Sequence, residues 1–411
     1  MRDVRDISNK GMVWVSLLIV VGILMIISSA ATGLWVITAI PIGFLFGFFL
    51  EKADLCGASA FSEVLLVKDG RKLWGLWVII AVGMLVFSLL SLLGLIQLSP
   101  KPLMWPSYLI GGILFGIGIV LAGGCVSGCL FKTGQGNINS MAGLIGIPIG
   151  VAAVEYGPLS AFSKYLNQFI IRNTDGGPVT LSSITGLPYG ILAVMFGVLT
   201  LIAAWRFKRS LSKTAPLKEN EKIPFFQRYL TKPWKPWQAG IAIGILGGLA
   251  YLSSAATGRN YPLGVTHGVL HAELLATDAP LTFVYTPSIS SQSKTPEKTN
   301  TGLSTNTAPS KKVSLWLIFE VIALVAGAFF SAKLSRKIQF LPRPPDQTVI
   351  AFFGGILLGT GAAIAGGCVV GNIMSGLALM SVGNMLFAVT VLLANWATTY
   401  FYLMGGSLFN R

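Results

Sequence analysis

Residues 111–128 read GGILFGIGIVLAGGCVSG and residues 354–371 read GGILLGTGAAIAGGCVVG, identical at 12 of 18 positions. An uncharged, glycine-rich run that returns 243 residues later, each time ending in Gly-Gly-Cys, marks an internal duplication. A second pair agrees: SSAATG stands at 28–33 and again at 253–258, offset by 225 residues. The 18 extra residues of the second copy therefore fall between the two markers. They are expected in 278–311, a stretch rich in Ser, Thr, Pro and Lys with hardly any apolar pattern, which reads as an exposed loop. The organisation expected is a first half over 12–206, a basic linker over 207–236 and a second half over 237–404.

The chain has 411 residues, 53% hydrophobic and only 11% charged, a balance that excludes an ordinary soluble domain. Apolar runs of about 20 residues recur at 12–31, 73–96, 184–205, 313–332 and 385–404, each able to cross a hydrocarbon layer of about 30 Å as a helix. The first run is too long for the apolar part of a signal peptide, and its SSAATG end is reused inside the chain, so it is expected to stay as structure. The net charge is +15, and 206–235 alone holds nine Lys and Arg against Glu219 and Glu221. Beside membrane helices such a run reads as a cytoplasmic loop, and no motif for nucleic acid accompanies it. Four cysteines without a CxxC pair argue against a disulfide framework or a structural metal site. His267 and His271 stand four residues apart, but nothing ties them to the cysteines, so no metal or other cofactor is expected.

Charge also suggests sidedness. The loops KDGRK at 68–72, 206–235 and KLSRK at 333–337 are basic and should be cytoplasmic, whereas 97–108 and 278–311 should be external. The run 73–96 then crosses outward and its counterpart 313–332 inward, so the halves are inverted relative to each other. The expected fold is an all-α integral membrane protein. It is an inverted-repeat helical bundle of about nine transmembrane helices, with short re-entrant or broken helices meeting at the midplane.

Glycines spaced as in 111–122 and 354–365 suit close packing between membrane helices. Packing alone does not require the Gly-Gly-Cys that follows. Gly123-Gly124 and Gly366-Gly367 should interrupt their helices, and a broken backbone at membrane depth is tolerated only where it lines a cavity or is buried in protein. The two interruptions are expected to bring Cys125 and Cys368 face to face across a central constriction. Cys129, with Asn372 at the matching position, reads more simply as a small buried hydrophobe. A weaker correspondence lays LCGASAFSEVLL at 55–66 against VTHGVLHAELL at 265–275, placing Thr266 opposite Cys56 and Glu273 opposite Glu63. Glu63, Glu155, Glu273 and Glu320 are carboxylates in or near apolar segments, where an ionisable group is a functional candidate by default.

FGFFLEKADLCGASAFSEVLLVKDG at 46–70, IGGILFGIGIVLAGGC at 110–125 and the second GGC at 366–368 together resemble the YeeE/YedE family of bacterial inner-membrane proteins. The resemblance covers both halves and omits the linker and the 278–311 loop. It implies an hourglass-shaped bundle that takes up thiosulfate. Three cysteines along a narrow path serve in that family, matched here by Cys56, Cys125 and Cys368, while Cys129 has no place in the pattern. It also implies a separate TusA-like sulfur carrier as partner at the cytoplasmic side. Other members are linked to selenium, which leaves a selenium compound as an alternative cargo.

The chemistry is coherent. Thiosulfate is a dianion with one soft terminal sulfur, and a neutral thiol offers a weak S–H donor beside a polarizable atom. Contacts of that kind orient an ion without trapping it, as conduction requires. A thiol in apolar surroundings stays protonated, because burial disfavours the thiolate. Short-helix N-termini beyond Gly124 and Gly367 would supply partial positive charge. No GxxxxGK[ST] loop is present, so the chain does not itself hydrolyse nucleotide. A transporter is expected rather than an enzyme. The competing reading is a membrane sulfurtransferase or thiol oxidoreductase using Cys125 and Cys129, with Lys132 as the only nearby cation.

Overall fold

The structure, a computed structural model, describes residues 33–173, 176–211, 232–277, 281–283, 311–338 and 344–405, with a few positions between 22 and 29. Most of the expected first crossing at 12–31, the linker 207–236 and the loop 278–311 lies outside the described residues.

Among the described residues nine stretches are long and apolar enough to cross a membrane. The first half is built from α1 (Ala39–Ala53), α2 (Gly57–Leu66), α3 (Arg71–Leu92), α4 (Trp105–Leu121), α5 (Val126–Gly134) and α6 (Ile138–Glu155). A further helix, α7 (Tyr189–Leu211), leads toward the linker. The second half repeats the order with α8 (Pro236–Ala256), α9 (Thr266–Thr277), α10 (Leu315–Leu334), α11 (Pro345–Ile364), α12 (Val369–Ala378) and α13 (Val382–Thr398). Over Val369–Ser375 α12 is π-helical, a form that gathers at functional sites.

Packing between the halves is reciprocal. α1 packs on α10 as α8 packs on α3, and α6 packs on α11 as α13 packs on α4, with α4 and α11 against each other at the centre. Glycine makes these seams possible. A Cβ at Gly43 would lie 2.2 Å from the Glu320 carbonyl, and one at Gly327 would lie 2.0 Å from that of Phe44. At the second seam Gly355 and Gly359 rest on the carbonyls of Gly143 and Ile147, where a Cβ would come within 2.1 Å. In lipid there is no hydrophobic gain from pairing apolar helices, so close van der Waals contact between backbones is what joins them. Outward faces carry Leu89, Ile145, Leu201 and Phe353, exposed side chains suited to acyl chains.

The two ends of the bundle differ in charge. At one end Lys72 bridges Asp54 and Glu63, each at 2.7 Å, and Lys52 donates to Ser335 at 2.6 Å. There Glu51, fully buried, accepts from Ser331, from Gln135 at 3.3 Å and from Lys337 at 3.4 Å. Trp234, where the linker rejoins the fold, donates its N–H to the Lys52 carbonyl and stacks on Phe49. The loops at 68–72 and 333–337 and the end of the linker thus converge on one end. The opposite end carries Lys101, the short pairing of Leu103–Met104 with Ile170–Ile171, and the 179–181 segment bonded to 380–382.

Candidate functional site

Both Gly-Gly-Cys segments interrupt a helix. α4 ends at Leu121 and α5 starts at Val126; α11 ends at Ile364 and α12 starts at Val369. The turns rest on the same backbone choice, since Gly123 has φ +68° and Gly366 φ +65°, left-handed angles that favour glycine. The cysteine that follows takes extended backbone and becomes the N-cap of the short helix. Cys56 does the same at the start of α2. All three sit where Ser, Thr or Asp would normally bond the first amides of a helix, and none of the three makes a side-chain cap bond. A thiol thus stands beside the partial positive charge of a helix start at each of three places.

Lysines hold both turns. Lys132 Nζ donates to the Gly123 carbonyl at 2.7 Å, and Lys101 Nζ donates to the Gly366 carbonyl at 2.5 Å and to Asn372 Oδ1 at 2.8 Å. Asn372 in turn donates to the carbonyls of Ala365 and Gly367, both at 3.0 Å. Its counterpart Cys129 makes only a weak contact to the Gly124 carbonyl, at 3.7 Å. Both lysines come from the first half, at unrelated places, Lys132 from α5 and Lys101 from the segment before α4.

The thiols fall into two groups. Cys56 Sγ and Cys125 Sγ lie 3.8 Å apart, fully buried, with Ser127 Oγ 3.4 Å from Cys125. Gly128 makes room, since a Cβ there would sit 2.3 Å from the Cys56 sulfur. Cys368 instead lines a cavity of about 200 Å³ shared with Lys101, Arg259, Tyr261, Thr266 and His267. Gly57, next to Cys56, packs on Val369, next to Cys368, so the thiol pair and the cavity adjoin. Cys125 has Cys56 as its sulfur neighbour and Cys368 lines the cavity, and no sulfur contact joins Cys125 to Cys368 among the described residues.

The cavity is cationic and aromatic. Arg259 lies 5.0 Å from the Trp316 ring centre and donates to the Pro262 carbonyl at 2.8 Å. The Lys101 ammonium is 5.0 Å from the Tyr261 ring, whose hydroxyl donates to the Gly371 carbonyl at 2.7 Å. Burial in this cavity brings the Lys101 ammonium down to about 8, the nearby Arg259 adding to the effect and Cys368 opposing it. The hydroxyl of Thr266 is buried without a hydrogen-bond partner. Thr266, laid opposite Cys56, opens α9, one residue past the cap position that Cys56 takes in α2. His267 pairs with Glu155 at 2.9 Å, and His271 Nδ1 accepts the Ser314 amide at 3.3 Å. Glu63 is held by Lys72, and Glu273 is half-buried on α9. Among the described residues no group of three His, Cys, Asp or Glu could hold a metal ion.

A sequence profile described as sulphur transport matches residues 52–397, a span that takes in all three capping cysteines and both lysine-held turns. The chain belongs to this sulphur-transport (YeeE/YedE) family. The thiosulfate transporter TsuA of Spirochaeta thermophila is 28% identical over 373 residues, 88% of this chain and 98% of the relative. TsuA of Escherichia coli K12 is 26% identical over 371 residues, 89% of this chain and 94% of that one. The probable transporter YedE of E. coli K12 is 36% identical over 121 residues, 29% of each chain. This sulphur-transport protein is therefore a multi-pass membrane transporter and not an enzyme.

Sequence reasoning missed Lys101, Arg259 and Tyr261. One signal was present: after the shared SSAATG the first half continues Leu34-Trp35, whereas the second continues Arg259-Asn260. A duplicated marker that changes from Leu to Arg at its edge points to a function that only one half performs.

Proposed function

We propose that this protein imports thiosulfate, or a closely related sulfur-bearing anion, through a path running from the Cys368 cavity past Cys125 and Cys56 to Lys132. The observation that carries the reading is the placing of one thiol, Cys368, in a cavity with two cations, Lys101 and Arg259, beside a buried pair of thiols. The cations and the open amides at the start of α12 suit the oxygens of a dianion. The thiols suit its soft terminal sulfur. Neutral thiols beyond the cavity give the ion a next contact too weak to hold it, so it can leave. Gly123, Gly124, Gly366 and Gly367 act as backbone support for the two turns. Two relatives that match almost end to end carry the name thiosulfate transporter, which supports the choice of ion.

The basic end, with Lys52, Lys72, Lys337 and the linker, faces the cytoplasm of a bacterial inner membrane, and the Lys101 cavity opens outside. A separate TusA-like carrier would receive the ion at the basic end.

The test is growth on thiosulfate as sole sulfur source in a bacterium stripped of its sulfate and thiosulfate importers. Labelled uptake is measured in parallel, with sulfate and selenite as competitors. The wild-type chain should restore growth and accumulate intact label, and thiosulfate should compete best. No rescue by a chain shown to be in the membrane would refute the reading. A selenium compound competing better than thiosulfate would replace the cargo.

A further inference from the structure

The repeat arranges its thiols in two matched stations. Cys125 corresponds to Cys368 and Gly128 to Gly371, and the weaker correspondence places Thr266 opposite Cys56. At the first station Cys56 and Cys125 touch at 3.8 Å, and the Cys56 sulfur fills the space beside Gly128. At the second station Cys368, Thr266 and Gly371 all line the cavity of about 200 Å³. Beside Gly371 the space is open, since a Cβ there would meet no atom within 4 Å. The two halves thus share the turn and differ in what stands beside it. Where the first closes thiol against thiol, the second keeps a thiol and a hydroxyl on the wall of a cavity.

The hydroxyl of Thr266 is the odd group in that wall. Thr266 is 2% exposed, and its Oγ1 has no hydrogen-bond partner. Every other nitrogen- or oxygen-bearing side chain lining the cavity is engaged. Lys101 donates to the Gly366 carbonyl and Asn372, Arg259 to the Pro262 carbonyl and Tyr261 to the Gly371 carbonyl, and His267 pairs with Glu155. A buried hydroxyl left unpaired costs free energy, and valine, of the same shape, would avoid that cost. An anion oxygen accepting from the hydroxyl ends the penalty, through a charge-assisted bond stronger than a neutral one.

We propose that Thr266 is a ligand of the transported anion, its hydroxyl donating to an oxygen while the Cys368 thiol meets the terminal sulfur. The inference deepens the thiosulfate reading above and rests on it. A hydroxyl is the harder donor and suits oxygen; a thiol is the softer partner and suits sulfur. The second station therefore takes the ion by both ends, with Lys101 and Arg259 countering its two charges. At the first station both facing groups are thiols, and the nearby hydroxyl of Ser127 is engaged with the Cys125 sulfur at 3.4 Å. The oxygens find weaker donors there. Thr266 thus separates the station that selects the ion from the pair that passes it on.

The test uses the full-length protein, in liposomes for uptake of sulfur-35 thiosulfate and in detergent for melting with and without thiosulfate. Substitutions at Thr266 separate the hydroxyl from the volume. Thr266→Ser keeps the hydroxyl and should stay within about threefold of wild type in half-saturation. Thr266→Val keeps the volume and Thr266→Ala keeps neither. Both should raise half-saturation by about 10- to 100-fold, the range for losing a hydrogen bond to a charged group. Without thiosulfate Thr266→Val should melt no lower than wild type, because it removes an unpaired buried hydroxyl. The rise in melting temperature that thiosulfate gives wild type should shrink in the same variant. Thr266→Val behaving like wild type while Thr266→Ser behaves like Thr266→Ala would show that volume is what matters, and overturns the proposal. Unchanged half-saturation in both Thr266→Val and Thr266→Ala overturns it too, as does a Thr266→Val protein that melts lower yet gains the full thiosulfate shift. Wild type that neither takes up thiosulfate nor is stabilised by it rejects the thiosulfate reading itself, a separate result.

Discussion

Cys56 and Cys125 are 69 residues apart in the chain, yet their sulfurs touch at 3.8 Å, each at the start of its own short helix. A local chain path does not produce that meeting; it needs α2 and α5 to arrive end-on at one point. Replacing either by alanine removes a thiol from the path. Cys56→Ala and Cys125→Ala should each slow labelled thiosulfate uptake by about tenfold or more, equivalent to about 1.4 kcal/mol. Cys129→Ala, which loses only a weak contact to the Gly124 carbonyl, should stay within about twofold. Equal rates in all three variants would remove the thiol path.

Gly128 gives an independent check on the same pair. A Cβ there reaches 2.3 Å from the Cys56 sulfur, so Gly128→Ala must push that sulfur aside. Uptake should fall as far as in Cys56→Ala, and the double variant should be no worse than either single one. Such non-additivity is the signature of residues that act through one contact. Additive losses in the double variant would show that Gly128 acts elsewhere.

Lys101 holds the second turn and faces the cavity. Lys101→Met should raise half-saturation for thiosulfate by about 10- to 100-fold, the range for losing a charged hydrogen bond of about 1.5–3 kcal/mol. Its pH response has a definite sign. Burial brings Lys101 down to about 8, so the ammonium is present below that pH and lost as pH rises through it. Uptake should therefore decline on the alkaline side of about 8. In Lys101→Arg, whose guanidinium stays charged, the decline should vanish. A wild-type profile flat from pH 7 to pH 9 would contradict this role.

The glycine seams predict stability rather than transport. At Gly359 a Cβ would lie 2.1 Å from the Ile147 carbonyl, a backbone atom that cannot step aside alone. Gly359→Ala should destabilise by about 1–3 kcal/mol, the usual cost of overpacking, read as a lower melting temperature in detergent. At Gly70, where nothing lies within 4 Å, alanine should change stability by no more than about 0.5 kcal/mol.

How much of this was legible in the chain depended on repetition. The paired GGC segments revealed two helix interruptions, and both are present, with Gly123 and Gly366 in the same left-handed conformation. The packing reading and the interruption reading both apply, to different glycines of one run: Gly111, Gly118, Gly354 and Gly361 press on neighbouring backbones, while Gly123 and Gly366 turn the chain. What repetition could not reveal was anything present once. Lys101 comes from a segment with no periodic pattern, and it reaches Gly366 across 265 residues. Arg259 lies just beyond a repeated marker, where the halves cease to agree. The contact between Cys56 and Cys125 depends on tertiary packing, which no local spacing encodes.

The exchange of Leu34 for Arg259 between the two copies also bears on direction. A passage assembled from two equal halves treats its faces alike, and a fixed charge near one face ends that equality. Detailed balance still applies: an ingrained asymmetry can make the two faces saturate at different concentrations, but by itself it moves nothing uphill. A lower half-saturation measured from the Arg259 face must be matched by a proportionately lower maximal rate from that face whenever no gradient is supplied.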